Sequence, residues 1–202
     1  MLCCQTINYP NNCWIEKGVI PSELQLNKDQ YQELWNSHPL EQDEICIFNK
    51  NIKIPRWQQA YGEDYKFSGN MAKSLPITEQ LQKYIDWANL NEVSNGRSGE
   101  LNGILLNWYE NGDHYIGWHS DDEPQLDKSL PVYTISLGAS RTFKIREKKN
   151  KNIVTDFELK NNDFFIMGGE FQKHYQHHLP KRKKCINSRI SITLRKFNKK
   201  LC

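Results

Sequence analysis

Residues 117–124 read GWHSDDEP, with one imidazole, His119, two positions ahead of Asp121 in a run of three acids, Asp121, Asp122 and Glu123. Adjacent carboxylates repel, so a cation must hold them or a reaction must use them. Side chains alternate along an extended segment, so His119 and Asp121 point to one side. A third imidazole from the densest histidine cluster, HYQHHLP, would complete two histidines and one carboxylate around an ion. His174, His177 and His178 are the candidates. Such a set leaves three coordination positions free, as non-heme Fe(II) oxygenases require for a bidentate cosubstrate and O2, and zinc accepts the same ligands. His119 and Asp121 are thus the leading catalytic and metal-ligating residues.

A second polar array lies near the end of the chain. In RISITLRKF, Arg189, Ser191, Thr193 and Arg195 have one parity, and Ile190, Ile192 and Leu194 have the other. Six residues of strand span roughly 20 Å. Two arginines so far apart cannot grip one carboxylate side by side, but their long arms can converge on opposite ends of a small dianion. Upstream, Asn107 and Tyr109 share a face, and Leu106 and Trp108 share the other.

The elements that must position these residues are mainly strands. From Leu101 onward, seven short apolar-rich segments follow one another with tight connections. ENGD between LNGILLNWY and HYIGWH reads as a hairpin turn. The series indicates an antiparallel sandwich or barrel, of which a double-stranded jelly roll is one form. Helices flank it. Asn27 with Gln30 forms a capping-box pattern opening a helix to about Trp35. Ser74 and Pro76 read as the start of a second helix, with Ile77, Leu81, Tyr84, Ile85 and Ala88 on one face. NEVSNGRSGE, residues 91–100, reads as a loop. The fold class is therefore mostly β with flanking α.

Composition narrows the partners. The chain has 202 residues, 38% hydrophobic and 25% charged, which suits one soluble globular domain. No apolar run reaches the roughly 20 residues of a membrane span, and the start lacks a signal-peptide pattern. The six cysteines show no CxxC spacing and read as reduced thiols. These features predict an intracellular monomer, cytoplasmic or nuclear, without a membrane partner. The net charge is only +3, but KRKK at 181–184 and a basic end (Arg195, Lys196, Lys199, Lys200) suit a phosphate backbone.

With these residues in place, the chain resembles the AlkB family of Fe(II)/2-oxoglutarate-dependent dioxygenases, most closely the animal-type nucleic-acid repair branch. PRWQQAYGEDYKFSG, NWYENGDHYIGWHSDDEP, ISLGASRTFKIR and HYQHHLPKRKKCINSRISITLRKF carry the resemblance, over roughly residues 45–197. It implies a jelly-roll core at 101–197, a nucleotide-recognition lid and helix at 45–100 and an N-terminal extension at 1–44. It implies Fe(II), 2-oxoglutarate and O2, with ascorbate as supporting reductant. The implied reaction is oxidative demethylation of bases such as 1-methyladenine and 3-methylcytosine, releasing formaldehyde, succinate and CO2 in direct reversal of damage to DNA, with RNA a second candidate. The iron ligands implied are His119, Asp121 and His177, with His178 a rival and His174 behind them. Asn107, Tyr109, Arg189 and Arg195 are the implied cosubstrate residues. Phe67 and Tyr65 would stack on and touch a flipped base, and Asp122, assisted by Glu123, would read its amine or its charge. Arg56 would contact phosphate, and Ile47 with Phe48 would wedge the duplex. Two other readings remain: an oxygenase acting on protein or a small molecule, and a non-catalytic module that binds methylated bases.

Overall fold

The computed structural model describes residues 4–47, 50–67 and 70–198. The chain opens with strands β1 (Gln5–Tyr9) and β2 (Cys13–Val19), then helix α1 (Lys28–Asn36). Two hairpin strands, β3 (Glu44–Ile47) and β4 (Lys50–Lys53), precede β5 (Trp57–Tyr61). A second small hairpin, β6 (Tyr65–Phe67) with β7 (Asn70–Ala72), leads to β8 (Ser74–Leu75) and helix α2 (Glu79–Ser94). Then come β9 (Gly103–Tyr109), β10 (Ile116–His119), β11 (Val132–Gly138), β12 (Arg141–Glu147), β13 (Val154–Leu159) and β14 (Asp163–Gly169). The single turn α3 (Phe171–His174), β15 (Tyr175–Leu179) and β16 (Arg189–Arg195) complete the order.

Two sheets face each other. The major sheet runs β1-β2-β14-β11-β16-β9-β5-β8, and the minor sheet runs β10-β15-β12-β13. From β9 onward the chain passes repeatedly between the sheets, which is jelly-roll topology. ENGD is therefore not a hairpin turn: β9 and β10 belong to different sheets, and the connection crosses between them. Gly138 makes the tight β11–β12 crossing possible. Its φ is +83°, and a Cβ there would sit 2.5 Å from the Tyr31 hydroxyl.

The middle strands of the major sheet are buried on both faces. Ile190, Ile192 and Leu194 of β16 pack outward with Leu106, Trp108 and Ile135 against Leu34 of α1 and Leu81, Tyr84, Ile85 and Ala88 of α2. The inner face meets Phe143, Ile145 and Leu179 of the minor sheet through Val132, Phe165 and Met167. Inward polar residues of β16 are consequently sealed between layers. All seven residues of that strand are buried, so its alternation does not mark a solvent face.

The helices are held by polar ties as well as by packing. Asn27 and Gln30 form the reciprocal capping box, and the Trp108 indole N–H donates to the Leu34 carbonyl at 2.9 Å. α2 begins later than its sequence pattern predicts. Thr78 caps it, because the Ser74 amide and hydroxyl are already bonded to Asp64 and β8 pairs with β5. It also runs through residues 91–94, which read as loop. There Glu92, with no exposure, accepts from Tyr133 at 2.5 Å and is gripped by both arms of Arg97. The N-terminal extension, over its described residues 4–44, shares in the main fold. Within them β1 and β2 extend the major sheet through β14, a pairing too distant in sequence for a local pattern to reveal. Likewise β5 and β8 of the expected lid segment belong to the major sheet.

Removing Arg97 would strand a buried carboxylate. Arg97→Ala is expected to lower unfolding free energy by about 3 kcal/mol in urea titration, and Glu92→Gln added to it to recover part of that loss.

Candidate active site

A cavity of about 410 Å³ opens between the sheets, walled in part by Tyr109, Phe143 and Leu179 of the core between them. The minor sheet supplies the ion-binding groups. His119 ends β10 and stands in register with His177 of β15. Asp121 follows two residues later, in the connection to β11. Ligand atoms of His119, Asp121 and His177 all lie within 4.8 Å of one another. The two imidazole Nε2 atoms are 3.8 and 3.9 Å from Asp121 Oδ1. His119 Nδ1 lies 2.8 Å from the Gly117 carbonyl, so it donates there and leaves the Nε2 lone pair toward the carboxylate.

Asp121 is 3% exposed and divides its oxygens. Oδ2 accepts from Arg195 Nε at 3.2 Å and Nη2 at 2.9 Å, while Oδ1 is buried with no hydrogen-bond partner. Burial alone would raise this carboxyl, but the Arg195 guanidinium holds it down at about 2. Burial pushes both imidazoles below their ordinary value, His177 far below. Two neutral imidazoles and an ionised oxygen without a donor are what a divalent metal ion takes. The residues therefore fit Fe(II) with positions to spare.

His178 points away from this cluster. Neighbouring residues of a strand take opposite faces. Its ring lies 4.8 Å from Trp118, beside Lys144, with Arg146 on the indole at 4.2 Å. His174 closes α3 and is not part of the cluster.

The major sheet supplies the cavity's other polar wall. Asn107 and Tyr109 of β9 and Arg189, Ser191, Thr193 and Arg195 of β16 all line it, on the face their parity predicts. Arg189 is 2% exposed and donates from Nε to Ser136 Oγ at 3.1 Å. It lies 5.3 Å from the Tyr109 ring, and burial pushes its guanidinium down to about 10. Among the described residues it has no carboxylate within ion-pairing distance. Arg195 differs from the sequence expectation. Its Nε and Nη2 bind Asp121 while Nη1 is buried without a partner among the described residues, and it is not part of a surface basic tail.

Three expected substrate contacts are rearranged. Asp122 does not line the cavity; it is ion-paired to Lys148 at 3.1 Å. The acid that enters is Glu123, which accepts from the Tyr65 hydroxyl at 2.5 Å and keeps Oε2 buried without a partner. Burial, reinforced by Asp121, raises its carboxyl. Arg56 is not at the surface for a phosphate. It is 8% exposed within the cavity wall, with Nε 2.7 Å from Asn107 Oδ1. Phe67 ends β6 opposite Asn70, but its ring, like Phe48 as a whole, lies outside the described residues. Gln58 and Ser136, each touching an arginine of the cavity, were not apparent from sequence. Only their shared parity with Asn107 and Ser191 in neighbouring strands could have marked them.

Residues 21–195 match the family model described as the 2OG-Fe(II) oxygenase superfamily, and the chain belongs to that family. Its relatives within it include the DNA oxidative demethylase ALKBH2 of Homo sapiens, 31% identical over 163 residues, covering 76% of this chain and 60% of that protein. The alpha-ketoglutarate-dependent dioxygenase alkB homolog 3 of Homo sapiens is 31% identical over 150 residues, covering 70% of this chain and 51% of that one. The chain thus matches little more than half the length of these relatives. The solved structure of OsALKBH1 superposes with a TM-score of 0.57 over 95% of this chain and all of that one. Its identity is 16%, so the likeness speaks for the fold.

The ligand assignment has a direct check. Asp121→Asn, which keeps the side-chain shape but removes the charge, is expected to abolish tight binding of one Mn(II) followed by electron paramagnetic resonance. His178→Ala is expected to leave that binding unchanged.

Proposed function

We propose that the chain is an Fe(II)/2-oxoglutarate-dependent dioxygenase that demethylates N-alkylated bases such as 1-methyladenine and 3-methylcytosine in DNA, reversing damage directly. The observation that carries this reading is one cavity holding two features on opposite walls. One is the His119–Asp121–His177 cluster; the other is Arg189, a buried guanidinium without a carboxylate partner among the described residues. Fe(II) held by His119, Asp121 and His177 would supply the oxidising chemistry, in which O2 reduction is coupled to oxidation of 2-oxoglutarate to succinate and CO2 and an N-methyl group is hydroxylated and lost as formaldehyde.

The protein's own groups have separable tasks. Arg189 receives the far carboxylate of the cosubstrate as a charge-assisted, two-pronged donor, and Asn107 and Tyr109 hydrogen-bond the same molecule. Arg195 holds Asp121 ionised and fixed in orientation. The base enters from the side of the two small hairpins, where Ile45, Ile54 and Tyr65 line the cavity. The sequence resemblance assigns Phe67 the role of stacking on the flipped base. Glu123, aligned by Tyr65, takes over the role expected of Asp122: it accepts from the exocyclic amine and lowers the energy of a cationic methylated base. Lys181, Arg182, Lys183 and Lys184 are exposed and suit the phosphate backbone. The protein acts as an intracellular monomer, with ascorbate as supporting reductant. RNA is the second nucleic acid to test.

Mass spectrometry of matched single- and double-stranded DNA and RNA oligonucleotides carrying 1-methyladenine tests the reaction. With Fe(II) and 2-oxoglutarate, loss of one methyl mass is expected from DNA with the wild type and not with Asp121→Asn. Consumption of 2-oxoglutarate with no mass loss on any strand would reassign the substrate to protein or a small molecule. Arg189→Ala is expected to raise the 2-oxoglutarate concentration for half-maximal rate by roughly ten- to a hundredfold, the loss of one charge-assisted contact of about 1.5–3 kcal/mol. Unchanged saturation would remove Arg189 from the cosubstrate site.

A further inference from the structure

Of the three arginines among the described residues lining the cavity, Arg195 is bound to Asp121 and Arg189 to Ser136; the third, Arg56, donates from its side chain to two amides. It sits one residue ahead of β5. Its Nε lies 2.7 Å from the side-chain oxygen of Asn107, and its Nη2 lies 3.3 Å from that of Gln58. A guanidinium has donors and no acceptor, so the amide atom facing it must in each case be oxygen. Both NH2 groups are thereby turned away from Arg56. That of Gln58, a residue 4% exposed, is buried without a partner among the described residues.

Strand register aligns these groups. Gln58 pairs with Asn107 across β5 and β9, and Asn107 pairs with Ser191 across β9 and β16. All three line the cavity. One buried cation therefore orders two amides in a row on the inner face of the major sheet. Arg56 itself has no carboxylate within ion-pairing distance among the described residues. A buried cation in that state is offset when an anion enters the same cavity.

The role of Arg56 depends on this cavity being the 2-oxoglutarate site. We infer that Arg56 is a positioning residue that locks the amides of Asn107 and Gln58 with their NH2 groups presented to the cosubstrate, so that they and Ser191 form a donor cradle for one of its carboxylates. Arg56 acts through the amides, and its fork is what the task requires. A lysine is a single point charge and cannot hold two amide oxygens in a plane.

The test is calorimetric titration of 2-oxoglutarate into the Mn(II)-loaded protein without oxygen, alongside fluorescence anisotropy of a single-stranded oligonucleotide. Arg56→Met is expected to weaken 2-oxoglutarate binding by roughly ten- to a hundredfold, with oligonucleotide affinity held within about twofold. Arg56→Lys should fail to restore it. Asn107→Asp, which keeps the bond to Arg56 and puts an oxygen in place of the NH2, should lose affinity by a similar factor. It serves as the deciding variant if Arg56→Met does not fold. Wild-type 2-oxoglutarate affinity in Arg56→Met or Asn107→Asp would overturn the inference. Full recovery in Arg56→Lys would also overturn it, since charge alone would then suffice. So would a parallel loss of oligonucleotide affinity, which would make the cradle a reader of the base. No binding of 2-oxoglutarate by the wild-type protein would instead overturn the underlying reading of the cavity.

Discussion

A carboxylate almost wholly out of water needs polar partners around it, and Asp121 draws them from both sheets. Arg195, the last residue of β16 in the major sheet, takes one oxygen. His119 and His177, register partners in the minor sheet, face the other. The ion pair thus ties the two layers of the sandwich together at the point where chemistry is expected. The Nε and Nη2 of Arg195 are committed to Asp121, and Nη1 stays buried in the cavity wall without a partner among the described residues. Strong electrostatics at short range leave the remaining oxygen ionised, oriented and unsatisfied, the state a metal ligand must have before the metal arrives.

The second constraint is double burial of the major sheet. With helices on one face and the minor sheet on the other, every strand side chain near the middle is enclosed. Polar residues on the inner face must then bond one another or a ligand. They do so in rows set by register: Gln58, Asn107, Ser191 and Ser136 on four adjacent strands, with Arg56 and Arg189 bonded into the row from either side. The cost of burying such groups is a reason to read this wall as a binding surface and not as filler.

Legibility followed the range of the interactions. Motif and parity placed His119, Asp121, Asn107, Tyr109 and Arg189 on one cavity, because a period of two carries a face assignment directly from sequence to space. The capping box at Asn27 was equally plain, being a contact between residues three apart. Failures came where a distant partner outbid a local signal. Ser74 looks like a cap until Asp64 claims it. ENGD looks like a hairpin turn until the next strand joins another sheet. β15 escaped notice because its histidines read as ligands and hid the strand beneath them.

The chain's sequence by itself determined the kind of chemistry, the mostly β architecture and which face of each strand would hold polar groups, since all three rest on residue type and short-range geometry. Only the tertiary structure decided between His177 and His178, withdrew Asp122 to Lys148 while admitting Glu123, and moved Arg56 from the surface to the cavity wall. Those choices depend on which side chains from remote strands reach the same few ångströms, and on the energy of pairing or stranding a buried charge there. No local pattern carries that information.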